Sequence, residues 1–294
     1  MNLMDLRLIT VDSFTQCRFG GNPAAIVPEC EEVPQMYYPQ IANEINLSQS
    51  AFIHRRSKDR FFIEFFTPTK AIKFSGHAAI GAFYVLSNMG YIRPIEEGIK
   101  TAELEIEDGE VLDVNIRYND YEVEKIDILM PEKCFNIKED KSIKKDELAE
   151  ILRVSEESID DIYFGGYFNH DIIAFVDTKE TLDSVKPDFF DLIALSEEKK
   201  ASGLYIVYKG KKGDKLFAYA RYFSPAIGIY EESATGSAAA AAGKIILDQT
   251  GDDEITVYQG QIMKRPSVIE IAKMDDTIVM RGVGRIVTDS VMHL

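Results

Sequence analysis

Two short segments place a hydroxyl, a glycine and a polar residue in succession just ahead of an apolar run: Ser75-Gly76-His77 and Thr235-Gly236-Ser237. A glycine lets the backbone come close to a ligand, and the runs that follow (Ala78-Ala79-Ile80 and Ala238 to Ala242) favour helix. The N–H groups of a first helical turn have no partner inside the helix, so each start can hold an anion, most simply a substrate carboxylate, without help from Lys or Arg. Among four histidines only His77 sits at such a start, where the positive end of the helix lowers its pKa. His54 falls in a strand, His170 in a loop and His293 near the terminus. Glu231 and Glu232 precede the second start by a few residues, which puts a carboxylate within reach of whatever the helix end holds. Thr235 and Ser237 are natural N-caps, and capping is compatible with ligand binding.

Positioning these groups falls to the flanking elements. Residues 65–79 (FFTPTKAIKFSGHAA) and 222–239 (YFSPAIGIYEESATGSAA) share one order: aromatic pair, hydroxyl, Pro, bent connection, hydroxyl, Gly, polar residue, two Ala. Aligning Phe66 with Phe223 gives an offset of about 157, and aligning Gly76 with Gly236 gives about 160. The second copy therefore holds three extra residues, close to Glu231-Glu232-Ser233. A repeat of this length is a duplicated domain.

Hydrophobic periodicity predicts strands at 6–12, 24–27, 50–54, 60–67, 126–131, 172–176, 204–208 and 216–223. Helices are predicted at 36–46, 146–154 and 189–198. Gly20-Gly21-Asn22-Pro23 turns the first strand into the second, Asp108-Gly109 centres a hairpin over 101–116, and Gly165-Gly166 closes 163–166 in a turn. Residues 138–145 read as a solvated connection, and 277–287 as strand able to rejoin either half. Residues 76–89 form a helix apolar on nearly every face, which belongs inside something. The fold class is α+β in two similar halves, each a curved sheet around a central helix. The boundaries expected are 1–122 for the first domain, with 283–294 able to join it, and 123–282 for the second. With the helix starts facing, their polar residues would converge on one cleft.

Net charge and motif spacing narrow the function. With 33 Lys+Arg against 49 Asp+Glu the formal charge is −16, which repels polyanions, so nucleic acid and anionic membrane are poor partners. No run reaches transmembrane length and the N-terminus lacks a signal-peptide pattern, so the expected location is cytoplasmic. Cys17, Cys30 and Cys134 are odd in number and widely spaced, which suggests reduced packing thiols. The stretch GSAAAAAGK from Gly236 spaces its glycines too widely for a phosphate loop, and Ile245 stands where a magnesium-binding hydroxyl is required. No histidine pair has metal-ligand spacing, and no nucleophile elbow is present. A homodimer is compatible with the sequence, which carries no feature that sets an oligomeric state.

The segments VDSFTQCRFGGNPAAIV, NLSQSAFI, FFTPTKAIKFSGHAA and RYFSPAIGIYEESATGSA, in this order from near residue 6 to about 245, resemble the signature segments of the PhzF-like (phenazine biosynthesis) family. That family shares with diaminopimelate epimerase a fold of two halves, each a strand barrel around a central helix, with the active site in the cleft between them. The resemblance implies metal-free, cofactor-independent proton transfer on a small carboxylate-bearing metabolite, at a carbon next to the carboxylate or in a conjugated ring acid. Its Gly-His pair falls on Gly76 and His77, and its Gly-Ser pair on Gly236 and Ser237. With Ser75, Thr235 and Asn22 these are the residues expected to hold substrate. In the epimerase relatives two cysteines precede the glycines; Ser75 and Thr235 stand there instead, which excludes a two-thiol mechanism. The family's catalytic carboxylate, in a segment like L-S-E-T, is here Gln49 of Leu47-Ser48-Gln49-Ser50, an amide that cannot exchange protons in the accessible pH range. The family's Asp-Pro is Glu232-Ser233, which keeps a carboxylate and loses a rigid residue.

Two readings follow from the departure at Gln49. In one, the protein is an isomerase in which Glu232 and His77 share acid and base duty while Gln49 orients substrate. In the other, the site binds a small carboxylate without turning it over.

Overall fold

The computed structural model describes residues 5–294. Residues 1–4, with which the expected first domain begins, lie outside the described residues. The chain divides into two compact units, Met1–Met130 with Val279–Leu294, and Pro131–Ile278.

In unit 1, β1 (Asp5–Ser13) and β2 (Asn22–Val27) are followed by α1 (Tyr38–Ile45), β3 (Gln49–Arg55), β4 (Arg60–Phe66), β5 (Ala71–Ile72) and α2 (Gly76–Asn88). Three long strands, β6 (Glu97–Glu105), β7 (Val111–Asn119) and β8 (Glu122–Pro131), lead to the boundary. Pro39 is accommodated in the first turn of α1, where the missing N–H costs no helical bond. The chain reverses between β1 and β2 at Gly21, with φ +71°, and a Cβ there would meet the Ser13 carbonyl and Thr15.

Unit 2 contains β9 (Asn136–Glu139), α3 (Lys145–Leu152), β10 (Ile159–Gly166), β11 (Asp171–Val176), α4 (Lys179–Ser184) and α5 (Phe189–Lys199). It continues with β12 (Leu204–Lys212), β13 (Lys215–Ser224), β14 (Ile229–Glu232), α6 (Gly236–Thr250), β15 (Glu254–Gln259) and β16 (Ser267–Met274). Then β17 (Thr277–Gly282) leads back towards unit 1, where β18 (Gly284–His293) lies antiparallel to β1.

The duplication read from sequence is present in the strand pairing. In unit 1, β1–β2 is antiparallel, β2–β3 parallel, β3–β4 and β4–β5 antiparallel, β4–β6 parallel and β6–β7 antiparallel. The run β10 to β16 repeats that series step by step. Both copies enter the helix from a short strand folded back on the preceding one, β5 or β14.

The two apolar helices are the cores of their units. Helix α2 is buried at 11 of its 13 positions and packs against β1, β2, β3 and β18; α6 packs against β10, β11, β12, β15 and β16. A helix with apolar residues all round has no face to offer water, so the sheet wraps it. Gly243 sets the depth of α6: a Cβ there would meet Ile271 of β16 at 2.8 Å.

Two local expectations are corrected. Gly165-Gly166 is not a turn but the end of β10, paired with Ile137 and Asn136 of β9. Gly165 takes φ +138° and a Cβ on it would run into the Asn136 carbonyl, so the glycine serves close strand approach. For the same reason residues 138–139 of the supposed solvated connection belong to β9.

Candidate functional site

In unit 1 the site residues gather at the start of α2. Ser75 is the N-cap, its Oγ accepting from the Ala78 amide at 3.3 Å and donating to Oε1 of Gln49 at 2.5 Å. Gln49 reaches this place because it opens β3, which runs parallel to β2 with Ala24 beside Gln49. Asn22, the first residue of β2, donates from Nδ2 to Nδ1 of His77 at 3.2 Å. Ser48 Oγ donates to Oδ1 of Asn22 and lies 3.4 Å from Nε2 of His77. An amide nitrogen can only donate, so Nδ1 accepts and the proton sits on Nε2, which donates to Ser48. The three side chains form a closed ring with consistent donors and acceptors, which fixes one neutral tautomer of the imidazole.

Burial enforces the same state. His77 is 2% exposed, and desolvation lowers its pKa to about 3. The sequence-based expectation of a lowered pKa is met in direction, with burial as the cause. At neutral pH His77 carries no proton to give as an imidazolium, and its chemical capacity is that of a neutral N–H donor at Nε2.

In unit 2 the residues at the start of α6 are arranged differently. Thr235 occupies the N-cap position, yet its side chain caps nothing: Oγ1 donates to Oε2 of Glu232 at 2.7 Å and accepts from Nε2 of Gln259 at 3.2 Å. The expected capping role of Thr235 is therefore replaced by a hold on Glu232. Gln259, at the end of β15, also donates to the Glu232 carbonyl at 2.8 Å, accepts from the Thr235 amide at 3.1 Å, and accepts from the Tyr205 hydroxyl at 3.2 Å. Glu232 is 5% exposed, and Gly236 and Ser237 beside it are buried. Glu231 is separated from this group by pairing with Arg221, whose guanidinium it meets at 2.9 and 3.0 Å.

Sequence reasoning missed four members of the second cluster: Asp171, Tyr205, Tyr222 and Gln259. The Tyr222 hydroxyl donates to Oδ1 of Asp171 at 3.0 Å, and Asp171 is 1% exposed. Desolvation, with the charge of Glu232 adding to it, raises Asp171 to about 7 against the opposing hydrogen bonds from Tyr222 and Gly203. Burial and the two carboxylates push the Tyr222 phenol well above its ordinary value. The strand bounds supply the relation that the sequence did not: Asp171 opens β11 as Asn22 opens β2, the same place in the two copies.

The other histidines are engaged elsewhere: His54 with Glu64 at 2.9 Å, His170 stacked on Phe164, His293 with Asp5 at 2.7 Å. Cys30 is buried and donates to the Ile53 carbonyl at 3.1 Å; Cys17 and Cys134 are exposed. Among the described residues no group of three or more His, Cys, Asp or Glu could hold a metal ion, and no helix is long and apolar enough to cross a membrane.

The chain is 27% identical over 282 residues to an uncharacterized isomerase of Clostridium acetobutylicum, covering 90% of this chain and 88% of that one. The fold matches the crystal structure of a PhzF-family phenazine biosynthesis protein of Bacillus anthracis with a TM-score of 0.84 at 21% identity, over 99% of this chain and 100% of that one. A predicted epimerase of Pseudomonas aeruginosa matches with a TM-score of 0.82 at 16% identity, over 98% and 99% of the two chains, so the epimerase-like α+β fold expected from sequence is present. The family model of phenazine biosynthesis-like proteins matches residues 11–289, and the chain belongs to that PhzC-PhzF family.

Proposed function

We propose that the protein is a cofactor-independent isomerase that moves a proton on a small carboxylate-bearing metabolite, with Glu232 as the group that takes and returns it. The observation that carries this reading is a nearly buried carboxylate held 2.7 Å from Thr235 at the start of a buried helix. A base fixed by hydrogen bonds in a dry pocket needs no reorganisation when the C–H bond breaks. The electron pair left on carbon is taken up by the adjacent carboxylate or conjugated system and is used again when the proton is delivered. The amides at Gly236 and Ser237, at the start of α6 next to Glu232, are the groups proposed to hold the substrate carboxylate, and those at Gly76 and His77 are a second anion-binding helix start within unit 1. His77 contributes as a neutral donor, Gln49 and Asn22 as orienting amides, and Ser75 as the hydroxyl that fixes Gln49. Such a protein works as a soluble enzyme, and the proposed location is the cytoplasm.

The curated relative from Clostridium is named an isomerase, which agrees with this reading. The amide at Gln49 favours a second one, a carboxylate-binding protein without turnover. Incubation in deuterium oxide with a panel of amino acids, hydroxy acids and cyclic dienoic acids, followed by mass spectrometry, separates the two. Label entering any acid, retained in Gln49→Ala and lost in Glu232→Gln, supports the isomerase. No label in the whole panel, with thermal stabilisation by one of the acids, overturns it in favour of binding alone.

A further inference from the structure

We propose that Asp171 is a positioning residue of the Glu232 site, and that the two carboxyls hold one proton between them, carried by Asp171, so that Glu232 keeps the negative charge. The inference rests on the reading of Glu232 as the base.

The geometry begins with the duplication. Asn22 and Asp171 are the first residues of β2 and β11, paired across their hairpins with Ser13 and Gly165. In unit 1 that position supplies the amide that fixes His77. In unit 2 it supplies a carboxyl, and the strands beside it bring the partners. Tyr205 of β12 lies opposite Tyr222 of β13, and Tyr222 lies opposite Glu232 of β14. Tyr222 thus has its backbone beside Glu232 and its hydroxyl on Asp171. The path of its ring is built into the chain: a Cβ at Gly203 would meet the Tyr222 Cζ and hydroxyl oxygen at 2.5 Å. Only glycine leaves room for the phenol to cross to Asp171.

Two nearly buried carboxylates in one low-dielectric region repel, and the cost is removed when one of them is neutral. Burial decides which: Asp171 is 1% exposed against 5% for Glu232. Thr235 donates to the Glu232 carboxylate, and Gln259 locks both Thr235 and the Glu232 backbone. Desolvation dominates at Asp171 and its two donors do not offset it. The titratable groups facing Asp171 are Tyr222, Tyr205 and Glu232; the adjacent His170 ring stacks on Phe164, and Arg221 is committed to Glu231 and to the carbonyls of Leu182 and Val185. A charge on Asp171 would make Glu232 harder to keep ionised, so the neutral acid preserves the base.

The test is a carboxyl NMR titration of the full chain without substrate. With aspartate 13C-labelled at the carboxyl, the resonance absent from Asp171→Asn is followed against pH. In the native protein it should titrate near neutrality. In Glu232→Gln its midpoint should fall by at least about half a pH unit, roughly a threefold loss of proton affinity. In Tyr222→Phe it should rise, because a donor to the charged form is lost. Glutamate labelling of the native protein gives a reading that needs no variant: Glu232 should show an inflection coincident with the Asp171 midpoint. An Asp171 midpoint in the ordinary carboxylate range, one unmoved in folded Glu232→Gln, or no coincident inflection at Glu232 overturns the proposal. A coupled pair in a protein inert to every acid of the exchange panel would overturn the proposed isomerase and leave the pair standing.

Discussion

The Ser75 hydroxyl donates to Oε1 of Gln49 across 2.5 Å while accepting the Ala78 amide, so a single side chain both caps α2 and fixes Gln49. A glutamate at position 49 would present the same acceptor oxygen to Ser75 and would add an exchangeable proton. Gln49→Glu should therefore fold as the native protein does and raise solvent deuterium exchange on the active acid by on the order of 100-fold, the low end of general acid–base catalysis. The same mass-spectrometric panel measures it, and a folded variant with no gain would remove Gln49 from the site.

Glu232→Gln keeps the acceptor for Thr235 and loses the base. Exchange should drop by roughly 10²–10⁴-fold with little change in thermal midpoint. Thr235→Val, which removes the 2.7 Å donor while keeping shape, should reduce exchange by less than Glu232→Gln does. Equal losses in the two variants would mean that Thr235 acts on substrate directly and not through Glu232.

Stability against pH should carry two opposed contributions. Between about pH 3 and 6.5 the unfolded chain binds a proton at His77 that the native protein refuses, so this contribution raises stability with pH, is complete above 6.5 and is lost on acidification. Asp171 behaves in reverse: from about 3.8 to 7 the native protein holds a proton that the unfolded chain has released, so stability falls as pH rises. Each has a limiting slope of about 1.4 kcal/mol per pH unit, and between about pH 4 and 6.5 they offset. Relative to the native protein, Asp171→Asn should add a rise of stability with pH in that window, and His77→Gln should add a fall. Denaturation midpoints at four or five pH values decide this; parallel profiles for all three proteins would contradict both assignments.

Gly243→Ala should destabilise. In an isolated helix the change is favourable by about 1 kcal/mol. In α6 the added methyl meets Ile271 at 2.8 Å, an overpacking cost of roughly 1–3 kcal/mol. A urea midpoint above that of the native protein would show that β16 yields to the helix.

The strongly patterned elements were legible because their signals are local. The apolar all-round run of α2, the alternation of β1 and the Asp108-Gly109 hairpin depend on backbone preference and periodicity, which a short window contains. The duplication was legible from two short segments, and the strand pairing repeats in both copies. Gly165-Gly166 misled because glycine marks both turns and close strand contact, and only the position of β9 distinguishes them.

The sequence by itself determined the two helix starts, since Ser75-Gly76-His77 and Thr235-Gly236-Ser237 combine hydroxyl, glycine and a following helix-forming run whatever surrounds them. Only the tertiary structure decided what those starts do. Thr235 turns from capping to holding Glu232 because β15 brings Gln259 to it. Asp171 becomes a buried acid because strand register lays Tyr222 over Gly203, and His77 becomes a neutral donor because β2 and the residue preceding β3 close a ring around it. These outcomes depend on partners up to 55 residues away and on exclusion of water, and both are products of packing.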